Sequence, residues 1–324
     1  MTSTASTTVA IVQQPPALLD LEESLRRATA HVTEAAQAGA DLVVFPETWL
    51  TCYPAWVFGL AGWRDAEARR WHARLLEQSP TLDPVHGDDA LAPVRAAARE
   101  HGVTVVLGLN ERAAPSSGSL YNSLVTIGPD GGTLNLHRKL TPTHTERIVW
   151  AAGDGAGLRV VDTPAGRLGS LVCWEHFHPL ARQALHAQHE EVHVAAWPDM
   201  PETHVIAARS YALEGRCFVV SAGLLLSTDD VPDDLLAAYR AGVGPDAPEN
   251  GPLFTGGSSV VGPDGSWIVE PVHGEARIIT ATLDRGRRYE ESIDLDVAGH
   301  YGRPDVFALT VDRTRRDSGV DFTG

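Results

Sequence analysis

The chain is poor in cysteine and short of positive charge. Cys52, Cys173 and Cys217 are its only cysteines in 324 residues. Three thiols do not make a disulfide framework, so the fold rests on packing. The odd count fits a reducing compartment with at least one thiol left free. Lys and Arg number 26 against 42 Asp and Glu, a net charge of −16. That balance argues against nucleic acid or an anionic membrane as partner. No apolar run is long enough to span a bilayer. Met1 to Thr7 lack the basic and apolar regions of a secretion signal, so they read as a loose tail on a cytoplasmic protein. No Gly/Ser-rich or charged linker divides the chain. One domain is expected over residues 8–312, with a tail at 313–324.

What is present alternates. Thr8 to Gln13 is a β-branched run, broken by Pro15-Pro16. Asp20 then caps a helix, with Glu23 at capping-box spacing. Leu21, Leu25, Ala28, Val32 and Ala35 follow a helical period, and Gly39 stops it. Asp41 to Phe45 is a buried strand. This opening predicts a parallel strand pair joined by a crossover helix. Helices follow over Arg64 to Gln78 and Asp89 to His101, then strands over Val103 to Leu109 and Leu120 to Ile127. Two hairpins echo each other: Leu124 to His137 turns at Gly128-Pro129-Asp130-Gly131, and Ser258 to Pro271 turns at Gly262-Pro263-Asp264-Gly265. A third hairpin spans Leu158 to Val172. Beyond Cys173, helices at 179–188 and 203–215 alternate with strands at 192–196 and 217–221. Residues 227–252 are polar, acidic and Pro/Gly-bearing, with one helical turn expected near Leu235; they read as a surface insertion, long for a loop and a candidate interface or lid. Residues 297–312 read as an arm. The pattern predicts a mixed α/β fold of two similar halves, packed sheet to sheet with helices outside.

Three strands run into reactive side chains. Asp41 to Phe45 delivers Glu47, Leu134 to Arg138 delivers Lys139, and Leu168 to Val172 delivers Cys173. Functional groups collect beyond the carboxyl ends of strands in α/β sheets. If the three strands are neighbours, a carboxylate, an ammonium and a thiol share one pocket. A thiol is mostly protonated at neutral pH and needs a base or a cation beside it. Glu47 would be the base. Lys139, and the start of the helix after Pro179, would favour the thiolate. Each residue also has a plain reading. Glu47 and Lys139 can be a salt bridge at a strand edge, and Cys173 a small buried hydrophobe.

Three separated blocks resemble the signatures of the nitrilase, or carbon–nitrogen hydrolase, superfamily. They are Phe45-Pro46-Glu47, then Arg138 to Arg147 (RKLTPTHTER), then Cys173-Trp174-Glu175-His176. Gly299 to Asp305 (GHYGRPD) extends the resemblance towards the end. It implies a four-layer α-β-β-α sandwich and a Glu-Lys-Cys triad falling on Glu47, Lys139 and Cys173. It implies a second carboxylate at Glu146 and a backbone N–H donor at Trp174. Cys-Trp-Glu followed by His, with the Thr-Pro-Thr-His-x-Glu-Arg block, is similar to the true nitrilase branch. The implied reaction takes a nitrile to the acid and ammonia through a thioimidate and a thioester, with no metal or organic cofactor. An amide or carbamoyl hydrolase of the same superfamily is the alternative, and a non-catalytic binding or filament-forming member a third. Family members pair through helices flanking the site, so a homodimer extending to a larger or spiral homo-oligomer is implied.

Tyr53, Trp197 and His176 are the candidate substrate-binding residues, in an apolar slot suited to an aryl or arylaliphatic nitrile. Trp49 and Trp56 read as packing. None of the fourteen histidines shows a metal-ligand spacing. His176, His178, His186, His189 and His193 are therefore expected at the surface or behind the site. Gly153 to Gly157 reads as a loop. Cys52 and Cys217 read as inert.

Overall fold

Near-continuous apolar runs give the central strands two buried faces. In the computed structural model, which describes residues 6–82 and 89–316, β1 (Ser6–Gln13) pairs in parallel with β2 (Leu42–Val44). Helix α1 (Leu21–Gln37) carries the crossover, and Asp20 caps it by accepting the Glu23 N–H at 3.0 Å. Val9, Ile11, Leu42 and Val44 point into one apolar cluster. Ala10, Val12 and Val43 point into another. That is the period of two expected of strands buried on both sides. β1 starts inside the segment expected as a tail: Ser6 and Thr7 already pair with the last strand. Residues 1–5 and 317–324 of the expected tails lie outside the described residues.

Helices α2 (Ala66–Glu77) and α3 (Ala92–His101) precede β3 (Thr104–Arg112), β4 (Leu120–Ile127) and β5 (Thr133–Arg138). The second half opens with the hairpin β6 (Val161–Thr163) and β7 (Gly166–Val172). Then come α4 (Pro179–His186), β8 (Val192–Trp197), α5 (Glu202–Gly215), β9 (Phe218–Gly223), β10 (Leu225–Ser227), α6 (Asp233–Val243), β11 (Pro252–Val261), β12 (Trp267–His273) and β13 (Arg277–Asp284).

The first sheet has the order β13-β1-β2-β3-β4-β5, and the second β10-β11-β9-β8-β7-β6 with β12 also on β11. One apolar cluster joins Val9, Leu42 and Val106 of the first sheet to Leu171, Val194 and Val220 of the second. The other cluster joins α1 and α3 to the outer face of the first sheet. Residues of α4 and α5 pack with the second sheet. The layers are therefore helix, sheet, sheet, helix, as the resemblance implies. Burying one Val or Leu fully contributes roughly 1.5–3 kcal/mol, so this inner seam is a major source of cohesion.

The insertion is more ordered than its polarity suggests. Instead of one turn near Leu235, α6 runs for 11 residues and buries Leu235 and Tyr239. The Tyr239 hydroxyl donates to the Tyr53 carbonyl at 2.5 Å, so α6 is anchored on the segment after Glu47. The arm at 297–312 has neither strand nor helix. Among the described residues no helix is long and apolar enough to cross a membrane.

Candidate active site

Backbone geometry at three strand ends builds the site. After β2 the chain turns sharply, with Thr48, Thr51 and Cys52 at positive φ. Gly108 of β3 makes that turn possible. A Cβ there would lie 2.1 Å from the Pro46 carbonyl oxygen and 2.6 Å from the Thr48 nitrogen. Lys139 follows β5, and its N–H donates to the Asn122 carbonyl of β4 at 2.7 Å. Cys173 leaves β7 at φ 52°, a left-handed conformation rare outside glycine. The three strands are not neighbours in one sheet. β3 and β4 separate β2 from β5, and β7 belongs to the other sheet. The acid and the amine reach the thiol across the seam between the sheets, where β4 touches β7.

Lys139 is the hub. Its Nζ donates to Glu47 Oε1 at 3.0 Å and to Glu146 Oε2 at 2.8 Å. All three side chains are at most 1% exposed. Burial works against the ammonium, but Cys173, Glu47 and Glu146 outweigh it and hold the Lys139 pKa above the ordinary lysine value. Asn122 donates to Glu47 Oε1 at 2.6 Å. Glu47 Oε2 has no hydrogen-bond partner among the described residues. Burial, with Glu146 adding to it and Lys139 opposing, pushes the Glu47 pKa up to about 7. Both oxygens of Glu146 are occupied. Tyr53 donates to Oε1 at 2.6 Å, and the Thr143 N–H joins Lys139 on Oε2.

Cys173 lies within electrostatic reach of Lys139, Glu47 and Glu146. Its resting state differs from the expected thiolate. Burial and the two carboxylates outweigh Lys139 and the Trp174 N–H, so the thiol pKa lies well above its usual value. The expected helix start is also too far away: Cys173 opens the 3-10 turn Cys173–Phe177, and α4 begins only at Pro179. Two carboxylates around one ammonium leave an excess negative charge, which disfavours a second anion. The sulfur therefore needs a base to take its proton.

A cavity of about 910 Å³ opens onto this cluster. Cys173, Glu146, Tyr53 and Trp174 line it, with Phe58, Phe177, Val243 and Phe254 among its apolar walls. Trp174 is 53% exposed, and its indole N–H donates to His204 Nε2 at 3.0 Å. Tyr53 thus has a place on the wall. His176 and Trp197 do not: both are buried and neither lines the cavity. Their rings stack at 4.6 Å behind the turn at Cys173, because His176 folds back to the Cys173 carbonyl. His186 and His193, expected near the surface or behind the site, are fully buried, whereas His178 and His189 are exposed. Trp49 and Trp56 sit in the core. Cys52 is buried 3.7 Å from the Tyr239 hydroxyl, and burial pushes its thiol up to about 12. Among the described residues no group of three or more His, Cys, Asp or Glu could hold a metal ion.

Three supporting residues escape a reading of the sequence. Glu175 accepts the Val172 N–H at 2.7 Å, the Leu140 N–H at 2.7 Å and His137 Nε2 at 2.9 Å. It therefore ties the turn at Cys173 to the loop after Lys139. Its signal was the spacing of three from Val172, as in a capping box. Asn122 and His137 leave no such trace, since strand register alone brings them in.

The model of the carbon–nitrogen hydrolase family matches residues 8–290. A nitrilase of Pseudomonas syringae pv. syringae (strain B728a) is 38% identical over 319 residues, 93% of this chain and 88% of its own. An arylacetonitrilase of Aspergillus niger is 35% identical, over 97% of this chain and 96% of its own. Among solved structures, a carbon–nitrogen hydrolase from Helicobacter pylori G27 superposes with a TM-score of 0.70 at 18% identity, over 94% of this chain and 97% of that one.

Proposed function

Because the chain belongs to the carbon–nitrogen hydrolase family, and so is a hydrolase acting on carbon–nitrogen bonds, we propose that it is a nitrilase taking an organic nitrile to the carboxylic acid and ammonia. The observation that carries the site assignment is the spare oxygen of Glu47. It is buried, unpartnered and raised to a pKa of about 7, in electrostatic reach of a thiol that cannot ionise unaided. Glu47 takes the Cys173 proton as the sulfur adds to the nitrile carbon. The nitrogen collects that proton, giving a thioimidate. Glu47 then draws a proton from water, whose oxygen adds to the same carbon. The nitrogen leaves as ammonia and the carbon is left as a thioester. A second water cleaves the carbon–sulfur bond, releasing the acid and restoring the thiol. Lys139 and the Trp174 N–H stabilise the anionic stages. Glu146, held by Tyr53 and Thr143, keeps Lys139 in place.

The cavity size and its aromatic walls fit a small aryl or arylaliphatic nitrile. We assign Tyr53 and Trp174 to the substrate side, and His176 and Trp197 to support behind it. Residues 8–312 are taken as one catalytic domain, assembled into homodimers and larger homo-oligomers. The three free, buried cysteines support a cytoplasmic setting.

The test is ammonia release by purified protein from a nitrile panel. Cys173→Ala is expected to abolish it while the circular dichroism spectrum stays native; retained turnover rejects the assignment. Faster hydrolysis of the matching amides than of the nitriles would move the protein to the amidase reading.

A further inference from the structure

Behind the nucleophile turn runs a buried polar chain that the reaction above leaves unused. His176 Nδ1 lies 2.6 Å from the Cys173 carbonyl oxygen. His176 Nε2 lies 2.9 Å from His193 Nε2, and His193 Nδ1 lies 3.0 Å from Glu190 Oε2. Tyr211 donates its hydroxyl to Glu190 Oε1 at 2.5 Å, and His186 Nδ1 is 3.1 Å from the same oxygen. None of these five side chains is more than 3% exposed.

The protons in this chain can be counted. A carbonyl oxygen only accepts, so His176 Nδ1 carries a hydrogen. Three links join the Cys173 carbonyl to His176, His176 to His193, and His193 to Glu190. Each link needs one proton. Two neutral imidazoles and a carboxylate supply only two, so a third is held when all three links are closed. Glu190 is the poorer place for it. Burial favours a neutral Glu190, but His193 and His186 outweigh that and keep its carboxyl well below the usual range. The extra proton belongs to the imidazole pair, where His193 sits between the carboxylate and His176.

We propose that the His176–His193–Glu190 chain, loaded with this one extra proton, is a positioning device for the nucleophile: it clamps the Cys173 carbonyl and holds the left-handed turn that aims the sulfur. A non-glycine residue at φ 52° persists only where its surroundings over-determine it. Loss of the proton leaves His193 donating to Glu190 alone. The two Nε2 atoms then face each other as lone pairs, and the clamp on Cys173 slackens. Burial outweighs Glu190 and Glu175 and sets the His193 pKa below the ordinary imidazole value, so the extra proton is held only on the acid side. His186 from α4 and His204 from α5 oppose a charge on the pair. Glu214 of α5 and Cys217, ahead of β9, face the chain through Tyr211. A rise in pH therefore opens the device.

The proposal rests on Cys173 as the nucleophile, and its test is read without a nitrile. Alkylation of Cys173 by iodoacetamide, followed by mass spectrometry, is measured against pH beside ammonia release. In the native protein the rate should bend over by one proton as pH rises, at a pH below the ordinary imidazole value. In Glu190→Gln the side-chain amide can donate to His193 Nδ1 while its oxygen still accepts from Tyr211. All three links then close with neutral imidazoles, and the bend should vanish. His176→Phe keeps the stack on Trp197 without the donor. It should slow alkylation and lower kcat about tenfold or more, with KM within about twofold. His176→Asn restores an N–H near the Nδ1 position. It should recover the rate to within about threefold of native, again without the bend. If Glu190→Gln fails to fold, His176→Asn carries the same comparison. An unchanged bend in the folded variants, or native reactivity in His176→Phe, overturns the proposal. If these contrasts hold while no nitrile is consumed, the substrate reading fails and the positioning role stands.

Discussion

Glu47 and Glu146 both bind Lys139, yet only one of them has an oxygen to spare. Glu146 is filled by Tyr53, Thr143 and Lys139. Glu47 Oε2 is open, and its pKa of about 7 suits proton exchange near neutrality. Below that pH Glu47 carries a proton and cannot take another from sulfur. kcat/KM for any accepted nitrile is therefore expected to fall tenfold per unit as pH drops below about 7. A limb near the ordinary carboxylate value would mean that another group is the base. Stability carries the opposite sign. The folded pKa lies above the unfolded one, so the contribution of Glu47 is present at low pH and is lost as pH rises through about 7. A shift of this size is of order a few kcal/mol, a cost the fold carries for keeping this carboxyl dry. Glu47, Lys139 and Cys173 stand out in the sequence because each follows a strand and falls in a block that resembles the family's signatures. Asn122, His193 and Glu190 do not. Their roles come from strand register and from contacts across the sheet, which no local spacing encodes.

At the scale of elements, the turn after β2 depends on one missing Cβ. Gly108→Ala would push a methyl group onto the Pro46 carbonyl and the Thr48 nitrogen, both backbone and unable to swing aside. The expected cost is about 1–3 kcal/mol, with Glu47 displaced as well. Denaturant midpoints and kcat should therefore fall together; an unchanged kcat would show that the turn does not place the base. The hairpins and the first crossover could be read from period and turn chemistry. α6 is hard to read from its sequence for a physical reason. Its Leu235 and Tyr239, four apart, form a narrow apolar face within an acidic segment. That face finds its partner near Trp56 and Phe254, far away in sequence. Because α6 is anchored in the core, removing 227–252 would damage the fold itself, so that segment is a poor probe of assembly.

For the whole molecule, two opposing forces meet on its surface. Leu180 of α4 with Ile206 and Leu213 of α5 are 55%, 57% and 44% exposed, on helices beside the turn at Cys173. Exposed apolar side chains on these two helices favour burial against a second copy. The net charge of −16 on every copy opposes that burial. Salt separates the two. The Debye length shrinks from about 30 Å at 0.01 M to about 3 Å at 1 M, so repulsion between copies fades while apolar burial remains. Particle mass from light scattering is expected to rise with salt. Ile206→Asp places a charge within the apolar surface, and should lower the mass and leave it low at high salt. A mass indifferent to both salt and Ile206→Asp would move the contact elsewhere, first to the arm, where Phe307 is 76% exposed and the same substitution can be made.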